Sequence, residues 1–288
     1  MLDASSQDMV STRSVTFPAG PANLSGTLFL PTTAPRAALV LNGATGVPQS
    51  YYRHFAKWLA QEQDIACLTF DYRDMGASAT GHVRDSDATM SDWALIDQPA
   101  ARAEMRRQLP DVPLWVMGHS LGALLMPMQD GIDDVARMIG VASGLVRHVD
   151  HPWPYQAMAR LFWFGHAPLL TRILGYLPGQ KLGFGKDMPA PAYWEWRDWC
   201  TNKYGYFPHF GRGLPFPNWS RSGAPVKLVA LADDVMIPPH CVKRLGHVYD
   251  VRRVTHQVLN PVDYGLKSIG HIGAFAQRNK AAWADLIA

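Results

Sequence analysis

A chain of 288 residues, 48% hydrophobic and 18% charged, can bury a sizeable core and is too apolar to be disordered. Its 27 basic and 24 acidic side chains nearly cancel and show no basic run or stripe, which argues against nucleic acid and anionic membrane surfaces as partners. The three cysteines, Cys67, Cys200 and Cys241, lie far apart, suit a reducing compartment and offer no Cys-x-x-Cys pair for zinc or redox chemistry.

The start, MLDASSQDMVSTRS, lacks the basic head and apolar core of a signal peptide, and no stretch approaches the ~18 apolar residues of a membrane span. A cytoplasmic protein without stable membrane insertion is expected, with residues 1–12 as a flexible leading segment. Arg13–Phe17 and Leu24–Leu30 alternate apolar and polar residues and, joined by PAGPAN, predict an antiparallel hairpin. AALVLN (37–42) is a continuous apolar run, as expected of a strand buried on both faces. YYRHFAKWLAQEQ then shows helical periodicity, with Phe55, Trp58 and Leu59 on one face. IACLTFDY (65–72) predicts a second buried strand, Trp93–Leu109 a helix, PLWVMG (113–118) a third strand, Leu121–Gln129 a helix, and ARMIGVAS (136–143) a fourth strand.

This alternation implies a mostly parallel sheet covered on both faces by helices. From Gly144 to about Ser220 the rhythm stops, and the segment is dense in Trp, Tyr, Phe and Pro. The rhythm resumes with VKLVALA (226–232), a helix near Pro239–Tyr249, a strand at Val254–Leu259 and a helix from about Gly273. The expected organisation is an α/β core over residues 13–143 and 221–288, interrupted by a helical, aromatic cap at 144–220.

In such sheets, ligands and catalytic groups gather beyond the carboxyl ends of the strands. Beyond PLWVM stands Gly118-His119-Ser120-Leu121-Gly122, a Gly-x-Ser-x-Gly elbow between strand and helix. A serine hydroxyl is a weak nucleophile and needs a base, which itself needs an orienting group. Asp233 and Asp234 follow VKLVALA, and His271 lies in the loop entering the last helix, giving the chain order Ser, Asp, His. Of 11 histidines, only His271 combines that loop with that order. His256 falls within a strand, His240 and His247 on a helix, and His148, His151, His166 and His209 in or beside the insertion. His119 is read as a support for the elbow. No histidine pair has metal-ligand spacing with a third ligand, so neither metal nor cofactor is expected.

These motifs, with FDYRDMGAS, GHSLGALLM, YWEWRDWC, DDVMIPP and IGHIGAF, resemble the α/β-hydrolase superfamily. Within it they are similar to a group of bacterial predicted α/β-hydrolases related to serine aminopeptidases and esterases. The resemblance covers nearly the whole chain after the first dozen residues. Asp-x-x-x-Pro after the penultimate strand looks like the superfamily's acid loop, which selects Asp234 over Asp233, the latter being expected as a solvated loop residue. The resemblance implies Leu121 N–H as one oxyanion donor and Ala44 N–H as the other, with Thr45 as the fallback. Asn42 departs here from the usual His-Gly. DYRDMGAS resembles the Asp-x-Arg-Gly-x-Gly-x-Ser loop; Asp74 replaces its first glycine, and the loop reads as a turn braced by Asp71 and Arg73 that needs a left-handed Asp74.

The function implied is a cofactor-independent serine hydrolase acting on a carboxylic ester of a small hydrophobic molecule. Thioesterase, amidase or aminopeptidase, lactonase and acyltransferase share the mechanism. A rival of another class is a ligand-binding protein on the same fold. No amphipathic basic helix is evident in the sequence, which argues against a membrane-surface lipase. Glu195, Arg197 and Asp198 are read as solvated or salt-bridged.

Overall fold

The computed structural model describes residues 10–218 and 222–288. Residues 1–9 of the expected flexible leader lie outside the described residues, whereas residues 10–12 begin the first strand. The strands in chain order are β1 (Val10–Ala19), β2 (Ala22–Pro31), β3 (Ala37–Asn42), β4 (Ile65–Phe70), β5 (Leu114–His119), β6 (Val135–Val141), β7 (Tyr176–Leu177), β8 (Met188–Pro189), β9 (Val226–Leu231) and β10 (Val254–Leu259). Eight of them form one sheet in the order β1-β2-β4-β3-β5-β6-β9-β10, and β7 and β8 pair separately. β2 runs antiparallel to both of its neighbours, and from β4 to β10 every pairing is parallel. This is the α/β-hydrolase arrangement, with helices on both faces.

The central strands are buried on both sides, as their continuous apolar runs require. In β3, Ala38 and Val40 join one core cluster while Leu39 and Leu41 join the other across the sheet. β5 and β9 repeat the division: Val116 and Leu228 face the first cluster, Met117 and Val229 the second. The period of two thus survives within runs of consecutive apolar residues.

Three sequence expectations change at their edges. The hairpin is longer than its alternation suggested, because pairing continues through Pro18–Asn23 and Ala19–Ala22 and leaves only Gly20 and Pro21 as the turn. Gly20 takes φ +57°, the backbone that a tight hairpin needs, and Pro18 is tolerated because β1 is the sheet edge. The helix after the elbow is one turn only, Leu121–Leu124, followed by a 3-10 turn at Met126–Met128. Pro127 has no N–H to continue the ladder, and the buried Ala123 carbonyl left without it accepts from the Tyr249 hydroxyl at 2.6 Å. The Trp93–Leu109 helix begins earlier, at Met90, where Thr89 and Asp92 form a capping box.

That helix contains a π turn at Trp93–Asp97 ahead of Pro99, and the insertion repeats the device with a π turn at Phe162–His166 ahead of Pro168. A wide turn removes the clash between a proline ring and the carbonyl four residues earlier, so helical direction continues through a residue that normally ends it. Between β6 and β9 the chain forms the continuous helical stretch 155–174 and the helix Ala190–Thr201, joined through β7 and β8. Ser91 ties this region to the core, its backbone N–H donating to the Glu195 carboxylate at 2.9 Å. Arg197 donates to the Trp163 carbonyl at 2.8 Å, and Asp198 pairs with His209 at 2.7 Å.

Candidate active site

Gly118 and Gly122 set the geometry of the elbow. A Cβ on Gly118 would lie 2.1 Å from the Gly122 carbonyl carbon, and one on Gly122 would lie 2.2 Å from the Asn42 carbonyl oxygen. Only bare backbone lets β5, the short helix and the end of β3 approach this closely. Between the two glycines Ser120 adopts φ 55°, ψ −115°, a strained conformation for a side chain with a Cβ, held by its N–H donating to the Val141 carbonyl at 3.0 Å.

Beyond β9, Asp234 is buried and both of its carboxylate oxygens are engaged. Oδ1 accepts from the Met236 and Ile237 amides at 2.8 and 2.9 Å, and Oδ2 meets Nδ1 of His271 at 2.7 Å. Nε2 of His271 lies 3.2 Å from Oγ of Ser120. Ser120, His271 and the Asp234 that the resemblance chose therefore meet in one continuous hydrogen-bonded line. Asp233, expected as a solvated residue, is half-buried and accepts from the Ile269 and Gly270 amides at 2.8 and 3.0 Å, bracing the loop that carries His271.

The loop after β3 departs from expectation. The Ala44 N–H donates to the Tyr52 hydroxyl at 2.8 Å, so it is already engaged within the protein. The Thr45 and Leu121 amides have no protein acceptor among the described residues, and both residues line the same cavity as Ser120. The departure at Asn42 also has a structural role: its Nδ2 donates to the Gly122 carbonyl at 3.2 Å and to Gln98 at 3.1 Å, fastening this loop to the elbow. Asp71 braces the following turn, accepting from the Gln49 and Ala77 amides, while buried Arg73 pairs with Asp97 at 2.6 Å. Asp74 takes φ 59°, the left-handed backbone foreseen for it.

The sequence model of the alpha/beta hydrolase family matches residues 38–274, most of the chain. The chain belongs to the alpha/beta hydrolase family. No curated protein sequence matches it. Among solved structures, this hydrolase is similar to a thermophilic esterase from Thermogutta terrifontis, at 12% identity and TM-score 0.55 over 96% of each chain. It is also similar to a carboxyl esterase from Bacillus coagulans, at 14% identity and TM-score 0.58 over 87% of this chain and 90% of that one. A third likeness is to the thioesterase domain of the curacin biosynthetic pathway, at 15% identity and TM-score 0.55 over 96% of this chain and 99% of that one. At such identities the likeness is one of fold.

In this hydrolase a cavity of about 290 Å³ opens onto Ser120. Its walls come from both sides: Leu121 and Ile237 from the core, Trp196, Trp199 and Tyr206 from the insertion. It is mostly apolar, with room for a small molecule. The cysteines add no reactive group, since burial raises all three thiols, Cys241 to about 12. Among the described residues no group of three His, Cys, Asp or Glu could hold a metal ion.

His119 is wholly buried behind the site. Its Nε2 lies 3.0 Å from the His271 carbonyl, which can only accept, so Nε2 carries the proton. Its Nδ1 is then the acceptor for the Tyr52 hydroxyl at 2.9 Å, which in turn accepts from Ala44. Sequence reading placed His119 as a support but missed Tyr52, whose hydroxyl becomes meaningful only when the helix starting beside it turns it toward the elbow. Burial, with the neighbouring His271 charge, holds the proton affinity of His119 well below its ordinary value of 6.5. The unfolded chain therefore takes up a proton near pH 6.5 that the folded chain refuses, so stability falls as pH drops through that value. Buried His151 adds a contribution of the same sign. The expected slope from His119 is up to about 1.4 kcal/mol per pH unit below pH 6.5. Melting temperatures recorded between pH 7.5 and 5.5 for wild type and His119→Gln test this; an unchanged acid-side slope in the variant would refute it.

Proposed function

We propose that the protein is a serine hydrolase that cleaves a carboxylic ester of a small, hydrophobic molecule. The observation that carries this reading is the line from Ser120 Oγ to His271 Nε2 and from His271 Nδ1 to Asp234, opening onto an apolar cavity. Ser120 Oγ attacks the carbonyl carbon while its proton passes to Nε2 of His271. Asp234 fixes the ring with Nδ1–H toward it and stabilises the imidazolium that forms. The carbonyl oxygen gains negative charge and is held by the Leu121 amide and, in place of the expected Ala44, the Thr45 amide. Ala44 is set aside because using it would require breaking its bond to Tyr52 in a dry site. The tetrahedral adduct collapses, the alkoxide leaves with the proton from His271, and water repeats the sequence to release the acid.

In this reading residues 144–220 act as a cap over the core formed by 13–143 and 221–288. The aromatic wall supplied by Trp196, Trp199 and Tyr206 supports a hydrophobic substrate. A fluorophosphonate probe tests the mechanism. Labelling of the purified chain should map to Ser120 and disappear in Ser120→Ala. A folded protein with an accessible cavity and no label would instead favour a ligand-binding role.

A further inference from the structure

The helical stretch 155–174 carries two apolar faces, of which only one is used. Its inner face buries Ala159, Trp163, Ala167 and Thr171 against the body of the protein. On the other side Met158, Leu161, Leu169 and Ile173 recur at helical spacing and are 64%, 61%, 58% and 69% exposed, preceded by Trp153 at 79%. Large apolar side chains scattered singly on a surface are ordinary, but here five stand exposed along one helix and its leading turn.

Along the segment itself the charge is one-signed. From His151 to Lys186 the sequence holds Arg160, Arg172, Lys181 and Lys186 and no Asp or Glu. Arg160 and Arg172 are exposed on the helix itself, and neither is ion-paired among the described residues; Arg172 rests on the Trp194 ring at 5.1 Å. The near balance of charge over the whole chain conceals this local excess, which is why composition argued against an anionic surface.

We propose that this outer face docks on an anionic lipid surface, the five apolar side chains entering the headgroup boundary and Arg160 and Arg172 meeting lipid phosphates. A second copy of the chain fits the apolar row less well, because the same helix on the partner offers no carboxylate to meet Arg160 and Arg172. No helix among the described residues is long and apolar enough to cross a membrane, so the attachment is peripheral. The proposal does not depend on the reaction assigned to Ser120.

The test is co-sedimentation of the full chain with vesicles of phosphatidylcholine alone and of phosphatidylcholine with phosphatidylglycerol. Binding to the anionic vesicles should be roughly tenfold tighter or more. The double variant Leu169→Ser/Ile173→Ser should lose roughly tenfold or more of it. Arg160→Gln/Arg172→Gln should abolish the preference between the two vesicle types. Circular dichroism and Tm of these surface variants should match wild type, which separates lost docking from misfolding. Absence of binding by wild type to both vesicles, or equal binding by well-folded variants, overturns the proposal. So does a dimer in analytical ultracentrifugation that the apolar substitutions dissolve while vesicles bind nothing.

Discussion

Asp234→Asn is expected to lower ester turnover roughly ten-thousand-fold while leaving the fold intact. The reason lies in which atoms Asp234 already serves. Its Oδ1 accepts two backbone N–H groups, from Met236 and Ile237, so an asparagine there must place its carbonyl oxygen at that position. The amide NH2 is then aimed at Nδ1 of His271, where it can only donate. Nδ1 must accept, the ring proton moves to Nε2, and Nε2 faces Ser120 as a donor when the reaction needs an acceptor. The loss therefore comes from the wrong tautomer and not from collapse of the loop. Steady-state kinetics with a p-nitrophenyl ester, beside a circular-dichroism spectrum, checks this. Turnover within tenfold of wild type would remove Asp234 from the mechanism.

The second large effect concerns stability. Gly122→Ala is expected to destabilise the protein by about 4 kcal/mol or more, seen as a Tm drop of about 10 °C or as insoluble expression. The new methyl would fall 2.2 Å from the Asn42 carbonyl oxygen, and the atoms it meets are backbone at the centre of the sheet. Relief would require parting β3 from the elbow, where Asn42 also donates to Gly122. Gly81→Ala is the control, because its added Cβ would meet nothing within 4 Å. Equal melting temperatures for the two variants would show that the elbow yields more readily than its contacts imply.

The parts of this architecture that were legible in sequence are those governed by short-range regularity. Continuous apolar runs separated by helical periods identified the central sheet strands; strand ends and chain order then pointed to Ser120, His271 and the Asp233–Asp234 pair, and the resemblance to the acid loop chose Asp234. What escaped depends on orientation across space. Ala44 and Thr45 are neighbours in one loop, and only the position of the Tyr52 hydroxyl decides which amide is spent. Asp233 looked solvated because its partners, the Ile269 and Gly270 amides, arrive from 36 and 37 residues away. Pro127 did signal a short helix, but the apolar run through Met128 masked it. The outer row of the 155–174 helix was hidden for a related reason: periodicity cannot say which of two apolar faces meets the protein.

The relay from Ala44 through Tyr52 to His119 couples two positions 67 residues apart. Each member satisfies a polar group of the next in a dry interior, so a replacement for Tyr52 or His119 that lacks the matching donor or acceptor strands a buried polar group. The residue between the first glycine and the serine of the elbow is nominally free in the motif. In this chain it is not free: whatever stands there must donate to the His271 carbonyl and accept from the Tyr52 hydroxyl, so positions 52 and 119 constrain one another.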